Sequence, residues 1–432
     1  MTAARKEIDY EDGLRLVSKL LGRQRYEAAV RWADHLCRHR PGDPRAHNQA
    51  GMARQRQAGP GAAVRSFQRA VVLQPDVAEI WANLGNAMRR AANPGGALAQ
   101  HLRAATCRPE VPEIRSTLGL SLLTLGDYRR GFAEHEHRAE REIALQPYRD
   151  AGFRLWDRRS LQGKRLLVVA EQGAGDTVQF LRFVAPLAAR GAIVSVASSK
   201  LLRRLVGTAP GVAETVARWP IPQPGEYDGI ELLMSLPACL GADLEIIPAP
   251  ARYISPPPAT APLPDRGRLR VGLCWTGSPA HPRNEPRRIP FAELDPLLAT
   301  TGVEFYGLQV GFGRADAAGD TRITDLAPGI ADFADTAGAI DQLDLMITID
   351  TSVAHIAGAL GKPVWTLLAR AADWRWGADG DTCRWYPSMR LFRQSRMGEW
   401  RDVVDRVAAE LAVEVAAREA GSLTRRPRFQ AF

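Results

Sequence analysis

A chain of 432 residues, 45% of them hydrophobic and 24% charged, is long enough to bury more than one core, so several domains are expected. No apolar run approaches the roughly 18 to 20 residues of a membrane span, and the amino-terminal stretch lacks the apolar core of a secretory signal; a cytoplasmic protein is expected. The net charge of +9 is spread as arginine along the chain and the five cysteines are scattered without a CxxC pair, so composition indicates neither a nucleic-acid stripe nor a metal or disulfide framework.

The first third is periodic. Pro41, Pro75 and Pro109 are spaced at 34 residues, and Gly51, Gly85 and Gly119 keep the same register, as do the pairs Ala63 and Ala97, Ala70 and Ala104. A period of that length marks a helix-turn-helix repeat in which small residues let paired helices approach and each proline ends the second helix. The stretch "IWANLGNAMRRAANPGGALAQHLRAATCRP" resembles a tetratricopeptide repeat through Trp81, Leu84, Gly85, Ala97, Ala104 and Pro109. The array is expected over 1–145, its last unit a cap because Gly131 replaces the alanine and no proline follows in register. Its concave groove suits a partner segment. Glu134, His135, Glu136 and His137 point in different directions on a helix, so these histidines, with His101, are expected on solvated faces and not around a metal.

From about Gly163 short apolar strands alternate with helices: "RLLVVA", "TVQFLRFVAPLAARG", "IVSVAS", "KLLRRLVGTA" and "YDGIELLMS". A proline-dense stretch follows and is assigned as a linker over 251–268. A second alternating set then runs from "LRVGLCW" through "LDLMITID" to "PVWTLL" and closes with an amphipathic helix at about Trp400 to Ala417. The fold class expected is α plus α/β: a helical solenoid, then two Rossmann-like parallel-sheet domains over 163–250 and 269–420, with a basic disordered tail over 421–432. Ligands of such sheets bind at the carboxyl ends of the strands.

Three motifs fall there. In "LMITIDTSVAHIAGALGKPVWTLL" a strand delivers Asp350, Thr351 and Ser352 open a helix, and His355 lies on the face of Thr351 one turn on. Asp350 or Thr351 can cap this helix, which does not exclude an anion at the same amides. In "EQGAGD" the glycines are spaced as GxG but the third glycine of the dinucleotide fingerprint and the Lys-Ser/Thr of a P-loop are missing. Asp176 there is either a simple cap or a carboxylate aimed into the crevice. In "CWTGSPAHPRNEPRRIPF", Arg283, Arg287 and Arg288 offer guanidinium forks to a diphosphate, or form a solvated loop, with Trp275 as a further possible contact. The aromatic loop 369–394, with Trp374, Trp376, Trp385 and Tyr386, suits stacking on a base or sugar as well as pinning the loop to its domain.

The segment around Asp350 is similar to the nucleotide-diphosphate motif of the heptosyltransferase-like glycosyltransferases (family 9 type, GT-B), where Asp-Thr-Gly and a following histidine line the donor site. Ser352 stands where that family usually has glycine. The resemblance implies that Gly175 and Asp176 are the Gly-Asp pair opening the first helix, Asp176 being the general base, with Glu171 and Gln172 in support. It implies that Arg287 or Arg288 neutralises the leaving group and that Gln309 contacts the nucleotide; on the aromatic loop, Asp373, Trp374 and Arg375 are possible donor contacts by their residue type.

The whole chain resembles bacterial tetratricopeptide-repeat proteins with such a carboxyl half. That implies an inverting, metal-independent glycosyltransferase whose nucleotide sugar is a co-substrate, with no further cofactor. The repeats suggest a protein acceptor, modified on Ser or Thr. A saccharide or lipid acceptor, or a non-enzymatic scaffold carrying a decayed transferase, are the alternatives; no nucleic-acid-reading motif is present.

Overall fold

The computed structural model describes residues 9–240, 249–257, 262–281 and 284–421. The chain forms two compact units, Met1–Ala139 with Asp373–Ala378, and Glu140–Ala372 with Asp379–Phe432. Among the described residues no helix is long and apolar enough to cross a membrane. The tail from 422 onward lies outside the described residues.

The first unit is built from the helix pairs α1 (Tyr10–Gly22) and α2 (Tyr26–His39), α3 (Pro44–Ala58) and α4 (Pro60–Leu73), α5 (Ala78–Arg90) and α6 (Pro94–Cys107), α7 (Pro112–Thr124) and α8 (Tyr128–His135). Proline stands in the first turn of α3, α4, α6 and α7, where its missing N–H has no intrahelical partner to lose. The 34-residue register is also that of the tertiary contacts. A β-carbon on Gly51 would lie 2.5 Å from the Phe67 ring, one on Gly85 2.5 Å from His101 Nε2, and one on Gly119 2.7 Å from the backbone nitrogen of His135. Phe67, His101 and His135 are themselves spaced at 34 residues, so each pair seats one ring-bearing residue against a glycine.

His101 and His135 are therefore buried, not solvated as their polarity suggested. His101 Nδ1 is 2.7 Å from Ser121 Oγ. Desolvation, with Arg89 nearby, pushes the His101 pKa down to about 4, and desolvation with Arg138 and Arg375 takes His135 to about 3.

The second unit starts within α9 (Ala139–Asp150), whose Leu145 and Tyr148 pack on a four-stranded parallel sheet. That sheet comprises β1 (Arg165–Val169), β2 (Ile193–Ser198), β3 (Val212–Ala217) and β4 (Gly229–Leu232) in the order β3-β2-β1-β4. Its helices are α10 (Ala174–Phe180), α11 (Val184–Ala189), α12 (Arg203–Val206) and α13 (Leu236–Cys239). The single helix expected from Thr177 to Gly191 is broken by a 3₁₀ turn at Leu181–Phe183, just before Pro186, which has no N–H for an i−4 carbonyl. Glu231 on β4 is buried and held by Arg158 at 2.8 Å and Arg141 at 3.3 Å.

A six-stranded parallel sheet follows, β5 (Leu269–Cys274), β6 (Val303–Gly307), β7 (Ile323–Asp325), β8 (Leu345–Ile349), β9 (Val364–Leu368) and β10 (Met389–Arg393), in the order β10-β9-β8-β5-β6-β7. The helices are α14 (Asn284–Arg287), α15 (Asp295–Leu298), α16 (Phe333–Asp341), α17 (Ser352–Ala359) and α18 (Arg401–Glu419). Every residue of β8 and β9 is buried, as expected for strands covered on both faces. The strand order reverses between β1 and β4 in one sheet and between β5 and β8 in the other, and these switch points open crevices at the carboxyl ends.

The proline-dense connection is not a loose spacer. Tyr253 and Ile254 are buried, and the Tyr253 amide donates to the carbonyl of Ala359 at 2.9 Å. A second tie between the two sheets' helices is Arg204, which reaches Asp332 at 2.9 Å and Asp335 at 3.1 Å. The architecture of this unit is GT-B-like.

Candidate functional site

Two helices leave strands at the switch points, α10 after β1 and α17 after β8, and their first turns meet. An ideal β-carbon on Gly175 would lie 2.7 Å from His355 Cδ2 and 3.5 Å from the Cα of Ser352. Glycine is required there because α10 opens directly against the imidazole. Next in the chain, the half-buried Asp176 turns its Oδ2 back to accept from the Gly173 amide at 2.9 Å. This bond caps α10 and also fixes the carboxylate at the mouth of the crevice.

Thr351 is the N-cap of α17 but makes no side-chain cap hydrogen bond; its Oγ1 is 3.4 Å from Thr348 Oγ1. The amide of Ala354 in this first turn donates to the Thr351 carbonyl at 3.1 Å, and the turn lies at the positive end of the helix dipole. Ser352 begins the helix and is half-buried. Arg287 donates through Nη1 to the carbonyl of Asp350 at 2.8 Å, and its Nη2 lies 2.7 Å from where Gly277 would carry a β-carbon. Its Nε is buried and has no hydrogen-bond partner among the described residues. Asn284, one turn earlier and buried, accepts from the Gly277 amide at 3.0 Å through Oδ1, while its Nδ2 has no partner among the described residues. These groups converge at the β5/β8 switch point.

Several expected contacts sit elsewhere. Arg288 turns to Asp316, 3.2 Å away, and to the Phe312 ring, so of the two adjacent arginines only Arg287 touches Asp350. Arg283 lies outside the described residues. Gln309 is buried and its amide is engaged by the protein: Oε1 accepts from Thr276 N at 3.1 Å and Trp275 N at 3.3 Å, and Nε2 donates to Phe312 O at 2.8 Å. It therefore shapes the turn after β5. Trp275 is core, packed on Phe291 at 4.9 Å between ring centres. Glu171 is buried and accepts from the Met234 amide at 3.3 Å, bracing the β1/β4 switch point, while Gln172 is an exposed turn residue with φ of 60°. Asp373 and Trp374 fall in the helical unit: Asp373 pairs with Arg375 at 2.7 Å, and Trp374 is buried edge-on against Phe132. A buried Trp374 offers no stacking face, because the helical core already covers it.

Two features were not anticipated. His355 is buried with Nδ1 2.8 Å from Tyr386 Oη. Behind that pair lies Arg182, fully buried, donating to Trp385 O at 2.6 Å, Gln179 O at 2.8 Å and Tyr253 Oη at 3.0 Å. Its guanidinium stands 4.7 to 5.3 Å from the ring centres of Tyr386, Tyr253 and Trp385. The signal was a lone arginine inside the apolar run "TVQFLRFVAPL". Trp374, Trp376, Trp385 and Tyr386 are all buried, so the aromatic loop is pinned.

The helical unit has a groove of about 380 Å³ lined in part by Glu11, Arg45, Asn48, Gln49, Val77 and Ile80. Asn83 donates to Asn48 at 3.1 Å, and the buried Oε1 of Gln49 has no partner among the described residues.

Residues 313–397, from the loop after β6 to just past β10, match the model of glycosyltransferase family 9 (heptosyltransferase). The chain is 27% identical to Protein FlbA of Caulobacter vibrioides over 321 residues, 67% of this chain and 53% of that protein. It thus spans about half the length of the curated relative it matches. An O-GlcNAc transferase variant of Thermobaculum terrenum is 15% identical, with 98% of this chain and 94% of that one covered at a TM-score of 0.33. The Yersinia enterocolitica type III secretion chaperone SycD, in complex with a peptide of the translocator YopD, is 18% identical over 26% of this chain and 92% of its own, with a TM-score of 0.25. The chain combines tetratricopeptide-type helix pairs with a GT-B-like unit that contains a segment of glycosyltransferase family 9 type.

Proposed function

We propose that the protein is a metal-independent glycosyltransferase that moves a sugar from a nucleoside-diphosphate sugar to an acceptor hydroxyl with inversion. The observation that carries this reading is the meeting of α10 and α17 at Gly175 and His355, with Asp176 on one side and Asp350, Thr351, Ser352 and Arg287 on the other. In the reaction Asp176 takes the proton of the acceptor hydroxyl as its oxygen attacks the anomeric carbon. The bond from that carbon to the diphosphate breaks on the opposite face, and the amides of α17 with Arg287 take up the charge of the leaving group. The acceptor is a protein segment, modified on Ser or Thr, held along the groove at Asn48, which Asn83 positions through its hydrogen bond.

The test is incubation with a panel of nucleoside-diphosphate sugars, reading donor hydrolysis, together with intact-mass comparison of cellular proteins with and without the gene. Sugar-mass shifts on polypeptides that vanish with the gene, and shrink in Asn48→Ala/Asn83→Ala while donor hydrolysis persists, are expected. Absence of hydrolysis of every donor would sink the transferase reading. The heptosyltransferase description of the matching family favours a second reading, a saccharide acceptor, which transfer to saccharide with none to polypeptide would establish.

A further inference from the structure

We propose that Tyr386 fixes the tautomer of His355, holding it as a neutral imidazole with its proton on Nε2, so that it serves the crevice as a hydrogen-bond donor to a phosphate oxygen and not as a base. This deepens the proposed function and rests on it for the identity of the oxyanion.

The direction of the short His355–Tyr386 bond follows from the groups behind it. Tyr386 Oη has Nδ1 of His355 at 2.8 Å and Tyr253 Oη at 3.5 Å. The Tyr253 proton goes to the carbonyl of Val178 at 3.0 Å, a group that only accepts, and the Tyr253 oxygen receives Arg182 Nη2 at 3.0 Å. If His355 donated from Nδ1, the buried Tyr386 proton would be left with the 3.5 Å contact to an oxygen already accepting from a guanidinium. If Tyr386 donates to Nδ1, both buried groups are satisfied at good distance. Burial holds the Tyr386 phenol well above its usual range, so the proton is there to give.

With Nδ1 taken as acceptor, the proton sits on Nε2, at the edge that faces Gly175; an ideal β-carbon there would be 3.3 Å from Nε2. A neutral N–H at that point donates to a diphosphate, and proton abstraction is left to Asp176. Tyr386 is thus a positioning residue, acting through His355.

The full-length protein labelled with nitrogen-15 would be studied by two-bond proton–nitrogen correlation at neutral pH, with His355 identified by its loss in His355→Gln. The parent is expected to show protonated Nε2 and bare Nδ1, and Tyr386→Phe to mix in the other tautomer. Inorganic pyrophosphate, which reads the anion site without a base, should bind roughly three- to tenfold more weakly to Tyr386→Phe. A proton on Nδ1 in the parent overturns the proposal even if the variant fails to fold, and so does an unchanged tautomer in a folded Tyr386→Phe. If the parent ignores pyrophosphate while the tautomer and its response hold, the diphosphate reading falls and the positioning by Tyr386 stands.

Discussion

The Cδ2 edge of His355 occupies the space that a β-carbon on Gly175 would need, 2.7 Å from its ideal position. The contact joins the first turns of two helices that rise from different sheets, so one methyl group added at 175 must displace the imidazole. Gly175→Ala is expected to cost roughly 1–3 kcal/mol by overpacking and to weaken nucleoside-diphosphate binding by more than about tenfold. Denaturant unfolding and calorimetry would measure the two effects. Unchanged binding would separate Gly175 and His355 from the donor site.

Asp176→Asn keeps an oxygen for the Gly173 amide, so α10 should remain capped and stability should change by less than about 1 kcal/mol. An amide takes no proton from the acceptor, and the transfer rate should fall by roughly 10² to 10⁴ with donor binding intact. A rate within about threefold of the parent would place the base elsewhere.

The two neighbouring arginines should behave differently. Arg287→Lys loses the fork that bonds the Asp350 carbonyl, and nucleoside-diphosphate affinity should fall about tenfold or more. Arg288→Lys, directed at Asp316, should change affinity by less than about threefold. EDTA should leave the parent's affinity unaltered. Binding that requires Mg²⁺, or equal losses in both variants, would contradict the assignment of Arg287.

Acid should destabilise the helical unit. The folded pKa values of His101 and His135 lie below the ordinary histidine value of 6.5, so as pH falls through 6.5 the unfolded chain takes protons that the folded one refuses. Stability is then lost by about 1.4 kcal/mol per pH unit for each histidine, down to about pH 4 for His101 and about pH 3 for His135. His101→Phe gives this repeat the ring type found at Phe67. It should remove one histidine's share of that slope, at a cost near 1 kcal/mol for the unpaired Ser121 hydroxyl. Parallel slopes in parent and variant, from unfolding at several pH values, would show that His101 titrates normally.

The repeats were legible because proline, glycine and alanine share one period, yet Phe67, His101 and His135 keep that period too and passed unread as a packing series. Strands β8 and β9 announced themselves as continuous apolar runs. β3 and β7 did not, because an edge strand has fewer partners and a mixed composition. At the candidate site the residues visible in sequence were those at helix starts, where a strand-turn-helix pattern is local. Glu171 and Gln309 have the residue types of ligand contacts but turn inward to the amides of Met234, Trp275 and Thr276. Residue type does not distinguish an amide or carboxylate that serves a turn from one that serves a ligand. Arg182 and Trp385 are separated by 203 residues, and no local pattern records such a pairing.

The Arg182 cage constrains how this unit can move. One guanidinium bonds a residue before β2, the tyrosine of the connecting segment and a residue just before β10, and lies against three aromatic rings. A hinge that swung the two sheets apart would have to draw that cation out of its bonds and rings together. At the rim, the turns at Gly173 and Gly277 are each tied by an amide to a side chain outside the cage, Asp176 and Asn284.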